Sequence, residues 1–231
     1  MKTTRPVRIA GLATYVPPKV LTNADLEKMV ETSDEWILQR TGIRERHIAE
    51  PGVGTSDLAA PAARAAIEEA GLTPADIGFI VVGTTTPDTI FPSTACTLQA
   101  KIGASNAWGF DLGAACSGFT YSLSVAFEMV ATGAVEHALV VGADVMSSII
   151  DYTDRATCVI FGDGAGAVVL SPAAEGSRRS STSCTSPTAR AAPRCACPPA
   201  AAAARHRTRR WTSACTTSSR TGRPSSSSRC G

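Results

Sequence analysis

The composition of the chain changes abruptly near residue 176, and this change limits what each part can fold into. Residues 177–231 contain no Leu, Ile, Val, Met or Phe, whereas residues 1–176 contain all of the chain's aliphatic core-forming side chains. A segment without such side chains cannot bury enough apolar surface to fold. We therefore predict a folded domain over residues 1–176, long enough to bury a core, and a tail over residues 177–231 without regular structure.

Charge divides the chain at the same place. Residues 1–176 hold all 20 acidic residues and 11 of the 22 Lys and Arg residues, so the overall charge of +2 describes neither part. Residues 177–231 hold the other 11 basic residues, all Arg, and no acid. Blocks of basic residues are typical of tails that bind nucleic acid. One interpretation is therefore a non-enzymatic fragment with a basic tail that binds RNA or DNA.

The residue types of the tail favour a different interpretation. Apart from His206, each type there is encoded by codons with G or C at the middle position. The third codon position of a GC-rich gene, read in a shifted frame, gives this pattern, and evolved basic tails usually mix Lys and Gly with Arg. We therefore hypothesise a net one-base loss near codon 176. The five tail cysteines form no CxxC pair, so no zinc site is indicated.

Residues 1–176 contain three cysteines, Cys96, Cys116 and Cys158. So few cysteines suit a reducing compartment better than a disulfide framework. The N-terminus has no apolar signal region, and no apolar run approaches the length needed to span a membrane. We expect a cytoplasmic protein without a membrane segment. Cys96 and Cys158 lie in apolar segments, and we interpret both as packing residues.

Strand-like and helix-like runs alternate along residues 1–176. The predicted strands are VRIAGLATYV, IGFIVVGTTT, AWGFDLGAA and HALVVGADV, with paired strands around a Gly-rich turn in CVIFGDGAGAVVL. The predicted helices are TNADLEKMV, TSDEWILQRTG, TSDLAAPAARAAIEEAGL, PSTACTLQAKIG and SGFTYSLSVAFEMVATG. We expect Thr22 or Asn23 to cap the first of them, Ser33 or Asp34 to cap the second, and Gly42 to end the second. The nearly all-apolar IGFIVVGTTT fits a strand covered on both faces of a parallel or mixed sheet. This order predicts a layered α/β fold.

Cys116 stands between small residues where a strand-like run becomes helical. The first amides of a helix starting near Ser117 would point at the sulfur and favour the reactive thiolate. Gly113 and Gly118 would leave room for a thioester, and the Cys116 amide could donate to an oxyanion. A buried structural cysteine is the alternative. The local context by itself leaves both interpretations open.

Five long segments resemble β-ketoacyl-acyl carrier protein synthase III and occur in that family's order. They are TNADLEKMVETSDEWILQRTGIRERHIAEPG, FPSTACTLQAKIGA, FDLGAACSGFTYSLSVA, GAVEHALVVGADV and DYTDRATCVIFGDGAGAVVL, and the resemblance covers nearly all of residues 5–172. It implies the thiolase-like fold, an αβαβα layered body of two similar halves that works as a homodimer. Residues 1–176 would be the first half. Acyl-CoA and malonyl-acyl carrier protein are the implied substrates, with no cofactor, metal, membrane or nucleic acid.

The resemblance also implies the site residues. Cys116 matches the cysteine that takes the acyl group from acyl-CoA, and Trp36 and Arg155 match residues that hold the adenine. The remaining matches are Arg40, near the coenzyme phosphates, Thr32, which bonds the nucleotide, Phe91, which reaches the partner subunit's acyl pocket, and Phe161, beside the cysteine. Without the motif context, the aromatic residues would be taken for core and the arginines for surface charge.

The family reaction has two steps, acylation of the cysteine and decarboxylative condensation. In the family, a His and an Asn of the second half serve the condensation, and nothing in residues 177–231 resembles their motifs. We therefore expect the chain as written to be inactive in condensation and poorly soluble, because an apolar face would lie uncovered. A related polyketide-starter or acyl-CoA condensing synthase of the same fold is the alternative enzyme. His47 and His137 adjoin no nucleophile and are poor candidates for a base.

The frame hypothesis predicts the outcome of resequencing the source DNA across codons 165–190. Restoring one base should open a frame that continues with aliphatic residues and with later His and Asn motifs. An unchanged frame on resequencing would contradict it.

Overall fold

The computed structural model describes residues 4–173, so the predictions for residues 177–231 lie outside the described residues. The strands are β1 (Val7–Tyr15), β2 (Lys19–Thr22), β3 (Glu45–Ile48), β4 (Phe79–Gly83), β5 (Trp108–Leu112), β6 (Ala138–Val145) and β7 (Asp163–Pro172). The α-helices are α1 (Asn23–Leu26), α2 (Asp34–Thr41), α3 (Thr55–Glu69), α4 (Thr94–Ile102) and α5 (Gly118–Ala131). Between residues 4 and 173, no helix has the length and apolarity needed to cross a bilayer.

Five strands form a mixed sheet in the order β1-β7-β6-β4-β5. The central strand β4 runs parallel to both β5 and β6. Strand β7 runs antiparallel to β6 and to β1. Strands β2 and β3 form a separate antiparallel pair. Helix α4 connects β4 to its parallel neighbour β5, and helix α5 connects β5 to β6 on the other side of β4, because strands that run in the same direction need a crossover connection. The predicted layered α/β architecture is confirmed.

Helices cover both faces of this sheet. On one face, α3 and α4 pack against Ile80 and Val82 of β4. On the other face, α5 packs through Ala126 and Val130 against Phe79 and Val81. Successive side chains of a strand point to opposite faces, so both faces of β4 contribute to a core. All five residues of β4 are buried, which confirms the two-sided burial predicted from its apolar run.

Small residues bring α3 close to the sheet. Ala59, Ala62, Ala63 and Ala66 of this helix are fully buried. A Cβ atom on Gly11 of β1 would lie 2.1 Å from the Ala66 carbonyl oxygen, so the helix backbone touches the strand backbone there. Such an approach is possible only where both elements carry little side-chain bulk. The Ala-rich sequence of α3 is therefore a packing feature as well as a helix-forming one.

Local capping signals define the ends of the short helices. Ser33 Oγ accepts a hydrogen bond from the Trp36 amide at the start of α2, and Gly42 ends that helix with φ 73°. Thr22 and Asp25 form a capping box at the start of α1. Hydrogen bonds, chiefly from the Thr22 side chain, lower the pKa of Asp25 to about 2. The caps predicted at both helices are thus confirmed.

The predicted pair of strands in CVIFGDGAGAVVL is wrong. Strand β7 begins only at Asp163, and residues 158–162 are not in a strand. The Val159 carbonyl accepts hydrogen bonds from the Arg46 guanidinium instead of from a neighbouring strand. Asp163 is the first residue of β7, and its carboxylate accepts hydrogen bonds from the Ala49 and Ser147 amides. Strands β2 and β3 were not predicted.

Gly83 at the end of β4 allows us to test the packing of α5. A Cβ atom there would lie 2.6 Å from the Gly118 carbonyl carbon and 2.8 Å from the Phe119 amide nitrogen. Because both obstacles are backbone atoms, we expect Gly83→Ala to lower the free energy of unfolding by about 1–3 kcal/mol. Urea unfolding monitored by circular dichroism measures this change.

Gly113→Ala is the matched control, since a Cβ atom at Gly113 meets nothing within 4 Å. Its unfolding free energy should stay within about 0.5 kcal/mol of the unsubstituted chain. Equal stability of the two variants would contradict the close approach of α5 to β4.

Candidate active site

Cys116 lies in a strained turn between a strand and a helix. Strand β5 ends at Leu112, a 3₁₀ turn spans Ala115–Ser117, and α5 begins at Gly118. Ala115 has φ 46°, a left-handed conformation that is unusual for a residue with a side chain. Strain of this kind persists where the surrounding packing requires it and is frequent at functional sites. Cys116 is exposed and carries a free thiol. The turn therefore presents this sulfur to solvent.

The start of α5 leaves its first amide groups without a side-chain cap. Its N-cap residue, Ser117, makes no capping hydrogen bond among the described residues. The Ser117 and Gly118 amides bond the Ala114 and Ala115 carbonyls of the preceding turn, and the helix N-terminus carries partial positive charge. Cys116 directly precedes this end. The arrangement is suited to stabilising negative charge on, or close to, the Cys116 sulfur.

The three cysteines of the described residues differ in exposure. Cys116 and Cys96 are exposed, and Cys158 is buried. The prediction that Cys158 is a packing residue is confirmed, whereas that for Cys96 is wrong because the Cys96 thiol lies at the surface, 3.2 Å from the Ser93 hydroxyl. Burial is the main cause that raises the pKa of the Cys158 thiol. Of these three thiols, only those of Cys96 and Cys116 are open to a reagent in the folded protein.

The indole of Trp36 lies against two guanidinium groups. The Cζ atoms of Arg40 and of Arg155 each lie 4.9 Å from the centroid of the Trp36 ring. Both distances are within the range of cation–π attraction. Arg155 also donates a hydrogen bond to the Glu31 carbonyl at 3.0 Å. The structure thus brings together Trp36, Arg40 and Arg155, three residues from two distant segments, and their role in holding a nucleotide stays a prediction.

Thr32 lies just before the N-cap of α2. Its side chain is half-buried, and its hydroxyl oxygen has no hydrogen-bond partner among the described residues. An unsatisfied buried hydroxyl destabilises the fold by about 1–3 kcal/mol. A polar group of a ligand that reached this oxygen would remove that cost.

Phe91 projects from the loop between β4 and α4. Its side chain is 89% exposed, and the neighbouring Ile90 is fully exposed. The base of this loop is held by Asp144, whose Oδ1 accepts from the Thr84 hydroxyl and from the Thr85 amide. Two large apolar side chains at the tip of an anchored loop favour contact with another surface. Phe161, in contrast, is half-buried ahead of β7.

The predicted residues from the loops share one edge of the sheet. Phe91 follows β4, Cys116 follows β5, and Arg155 and Phe161 lie between β6 and β7. The carboxyl ends of the parallel strands β4, β5 and β6 meet at one edge, and β7 starts at that same edge because it is antiparallel to β6. Ligands of open α/β sheets bind at such an edge.

Several buried or half-buried polar residues that hold this edge were not predicted from the sequence. Asp144 and Asp163 accept hydrogen bonds from loop amides, and Arg46 and Asn23 bond each other beneath α2. A charged residue inside an otherwise apolar run, as in HALVVGADV, was the available signal. Such residues are rarely buried unless they are paired.

The two histidines of the described residues are engaged away from Cys116. His47 Nδ1 lies 2.6 Å from the Pro17 carbonyl oxygen, and His137 Nδ1 lies 2.8 Å from the Ser171 hydroxyl. Each ring therefore has a hydrogen-bond partner other than the Cys116 thiol, and the expectation that neither is its base stays a prediction. Between residues 4 and 173, no cluster of His, Cys, Asp or Glu side chains could hold a metal ion.

One cavity of about 380 Å³ lies beside the β2–β3 pair. Its lining is largely apolar and includes Met29, Ile48, Val53 and Tyr152. The cavity is lined by none of the seven predicted site residues. It is therefore separate from both Cys116 and the Trp36 stack.

Comparison with known proteins identifies the family. The sequence profile described as 3-oxoacyl-[acyl-carrier-protein (ACP)] synthase III matches residues 110–187. The β-ketoacyl-[acyl-carrier-protein] synthase III of Koribacter versatilis is 56% identical over 176 residues, which are 76% of this chain and 53% of that protein. The protein of the same name from Xylella fastidiosa is 63% identical over 163 residues, 71% of this chain and 50% of that one.

The chain belongs to the β-ketoacyl-acyl carrier protein synthase III family. It spans about half the length of the curated relatives that it matches. The solved 3-oxoacyl-[acyl-carrier-protein] synthase III of Aquifex aeolicus is 48% identical with a TM-score of 0.70, over 72% of this chain and 54% of that one. The priming β-ketosynthase of the R1128 polyketide pathway is 40% identical with a TM-score of 0.73, over 75% of this chain and 52% of that one. The predicted thiolase-like α/β fold is confirmed.

Thiol labelling tests the exposure of the cysteines in this synthase III chain. With iodoacetamide at neutral pH, we expect Cys116 and Cys96 to react at least about tenfold faster than Cys158, because only an accessible thiolate is alkylated. Since burial raises the pKa of Cys158, its protection should persist as the pH rises through the ordinary range for a thiol. Peptide mapping by mass spectrometry measures each rate.

In urea, where burial is lost, all three thiols should react at similar rates. Equal rates in the folded protein would contradict the placement of Cys158 in the core.

Proposed function

We propose that this chain takes an acyl group from acyl-CoA onto Cys116, as the first step of the initiating condensation in type II fatty acid biosynthesis. The observation that carries the proposal is the exposed Cys116 thiol in a strained turn directly before the uncapped start of α5. Family membership adds support, since the relatives it matches are named as β-ketoacyl-acyl carrier protein synthases III.

In the proposed acyl transfer, the Cys116 thiolate attacks the thioester carbonyl of acyl-CoA. The new carbon–sulfur bond produces a tetrahedral oxyanion, for which the Cys116 amide is the proposed donor. The carbon–sulfur bond to coenzyme A then breaks, and the coenzyme leaves as a thiolate that takes up a proton. The product is an acyl thioester on Cys116, which divides a difficult condensation into two easier steps.

The Trp36 stack is the proposed nucleotide site. The planar faces of an indole and a guanidinium group suit the flat adenine ring, and Arg40 suits the coenzyme phosphates. Because Arg155 now lies against Trp36 at 4.9 Å, adenine bound between them would require the guanidinium to withdraw. Thr32, with its unpaired hydroxyl, is the proposed hydrogen-bond partner of the nucleotide.

The second step would use malonyl-acyl carrier protein, which loses carbon dioxide and attacks the acyl thioester. His47 and His137 are held by the Pro17 carbonyl and the Ser171 hydroxyl, so we assign neither to this step. We place Phe91 at a homodimer contact because of its 89% exposure. The presence of three cysteines in residues 1–176 supports a cytoplasmic location for this part of the chain. The inactivity of the chain as written in condensation stays a prediction.

The degree of similarity favours a fatty-acid initiator over a polyketide-starter enzyme. The chain is 56% and 63% identical to the two synthase III relatives and 40% identical to the priming β-ketosynthase. No observation on the described residues favours a nucleic-acid-binding function. The domain boundary at residue 176 and the frame-shifted tail remain proposals.

Acetylation of the purified chain tests the proposed acyl transfer. Incubation with acetyl-CoA should add one acetyl group to the peptide that contains Cys116, because among the three thiols between residues 4 and 173 only this one adjoins a helix N-terminus without a side-chain cap. Peptide mapping by mass spectrometry detects it, and Cys116→Ala should abolish it.

Cys96→Ser is the matched control, since Cys96 is the other exposed thiol of the described residues. This variant should be acetylated at the unsubstituted rate. Acetylation that survives Cys116→Ala would refute the proposed function.

A further inference from the structure

Arg46 of β3 is a buried cation that bonds two separate segments. Its residue is only 4% exposed. Its Nε and Nη2 atoms donate to the Val159 carbonyl oxygen at 3.1 and 2.5 Å, and its Nη1 atom donates to Asn23 Oδ1 at 2.6 Å. A buried guanidinium is tolerated only when its donors are satisfied, and both acceptors here are neutral. These three hydrogen bonds therefore determine where the guanidinium lies.

The Asn23 bond connects Arg46 to helix α2. Asn23 is 2% exposed. Its Nδ2 atom donates to Asp34 Oδ1 at 2.7 Å and to the Ile43 carbonyl at 2.9 Å. Asp34 is the first residue of α2, and Ile43 follows Gly42, which ends that helix. Asn23 thus holds both ends of the helix that carries Trp36 and Arg40.

The Val159 bond connects Arg46 to the segment that carries Arg155. In this segment the Asp154 carbonyl accepts from the Thr157 and Cys158 amides, forming a turn around Arg155. Val159 itself is 2% exposed and packs with Cys158.

Gly162 gives independent evidence that this segment lies against β3. A Cβ atom on Gly162 would lie 3.1 Å from both Arg46 Cβ and the His47 carbonyl oxygen. The segment is therefore in contact with the β3 backbone as well as with the Arg46 guanidinium.

We propose that Arg46 is a positioning residue for the coenzyme site. It fixes helix α2, which carries Trp36, relative to the segment of Arg155, so that the Arg155 guanidinium can withdraw from the indole to admit adenine while both backbones keep their places. One planar guanidinium bonds Asn23, which holds α2, and Val159, which lies four positions after Arg155 in the chain, so a single group fixes both segments that form the stack. A lysine would keep the charge, but its single ammonium lacks the fork that makes both bonds. The inference rests on the proposed nucleotide site and adds to it a residue that does not touch the ligand.

A double-mutant cycle on the full chain tests this role. Isothermal titration with coenzyme A gives the Kd of the unsubstituted chain, of Arg46→Lys, of Arg155→Ala and of the double variant. We expect Arg46→Lys to weaken binding about tenfold alone, and to have little further effect once Arg155 is removed, because residues that act through one structure are coupled. Arg64→Lys, an exposed arginine that donates to the Lys101 carbonyl, is the matched control and should bind normally.

Acylation kinetics separate positioning from general damage. At saturating acetyl-CoA, the rate of Cys116 acetylation in Arg46→Lys should stay within about twofold of the unsubstituted rate. The reason is that the substitution weakens the binding of the substrate and of the transition state equally. Should Arg46→Lys fail to fold, judged by its circular dichroism melting curve, Asn23→Ser removes the link to α2 alone. That variant should show the same coupling to Trp36→Ala.

The outcomes distinguish the two proposals. If Arg155→Ala and Trp36→Ala leave the coenzyme A affinity unchanged, the proposed nucleotide site is wrong. If both weaken binding, but Arg46→Lys and Asn23→Ser have no effect or have equal effects in every background, the role of Arg46 is overturned and the nucleotide site stands.

Discussion

The contact between the start of α5 and the end of β4 decides where the reactive sulfur lies. The backbones of Gly83 and Gly118 are in contact, so there is no space for a Cβ atom on Gly83. Because α5 is seated there, the chain from β5 must enter the helix through a tight turn, and Ala115 adopts φ 46°. Cys116 follows directly and is exposed. The apolar packing of α5 on β4 thus sets the position of a polar, reactive group.

Polar contacts at the same edge of the sheet have a different function from the apolar core. The core holds helices against the sheet through non-directional contacts. The buried side chains of Asp163, Asn23 and Arg46 and the half-buried one of Asp144 instead bond particular backbone atoms of the loops. Directional bonds of this kind specify one loop conformation and cost free energy when broken. The loops that carry the proposed site are therefore ordered by polar residues other than those proposed to contact the ligand.

Much of the fold followed from local patterns. Ser33 and Gly42 were recognised as the ends of α2 because a cap acts on amides a few residues away. The error at CVIFGDGAGAVVL had a non-local cause, since Val159 bonds Arg46 from 113 residues away. The error at Cys96 also had a non-local cause. Its apolar neighbours in the sequence suggested burial, but the side of α4 on which it lies is exposed to solvent.

The sequence by itself determined the composition boundary near residue 176, the alternation of strands and helices, and the setting of Cys116 between a strand and a helix. It did so because these properties depend on residue types and on neighbours within a few positions. Only the tertiary structure placed Arg155 against Trp36 and put Arg46 beneath both of their segments. Such contacts join residues far apart in the chain, and they form only once the core has brought their elements together.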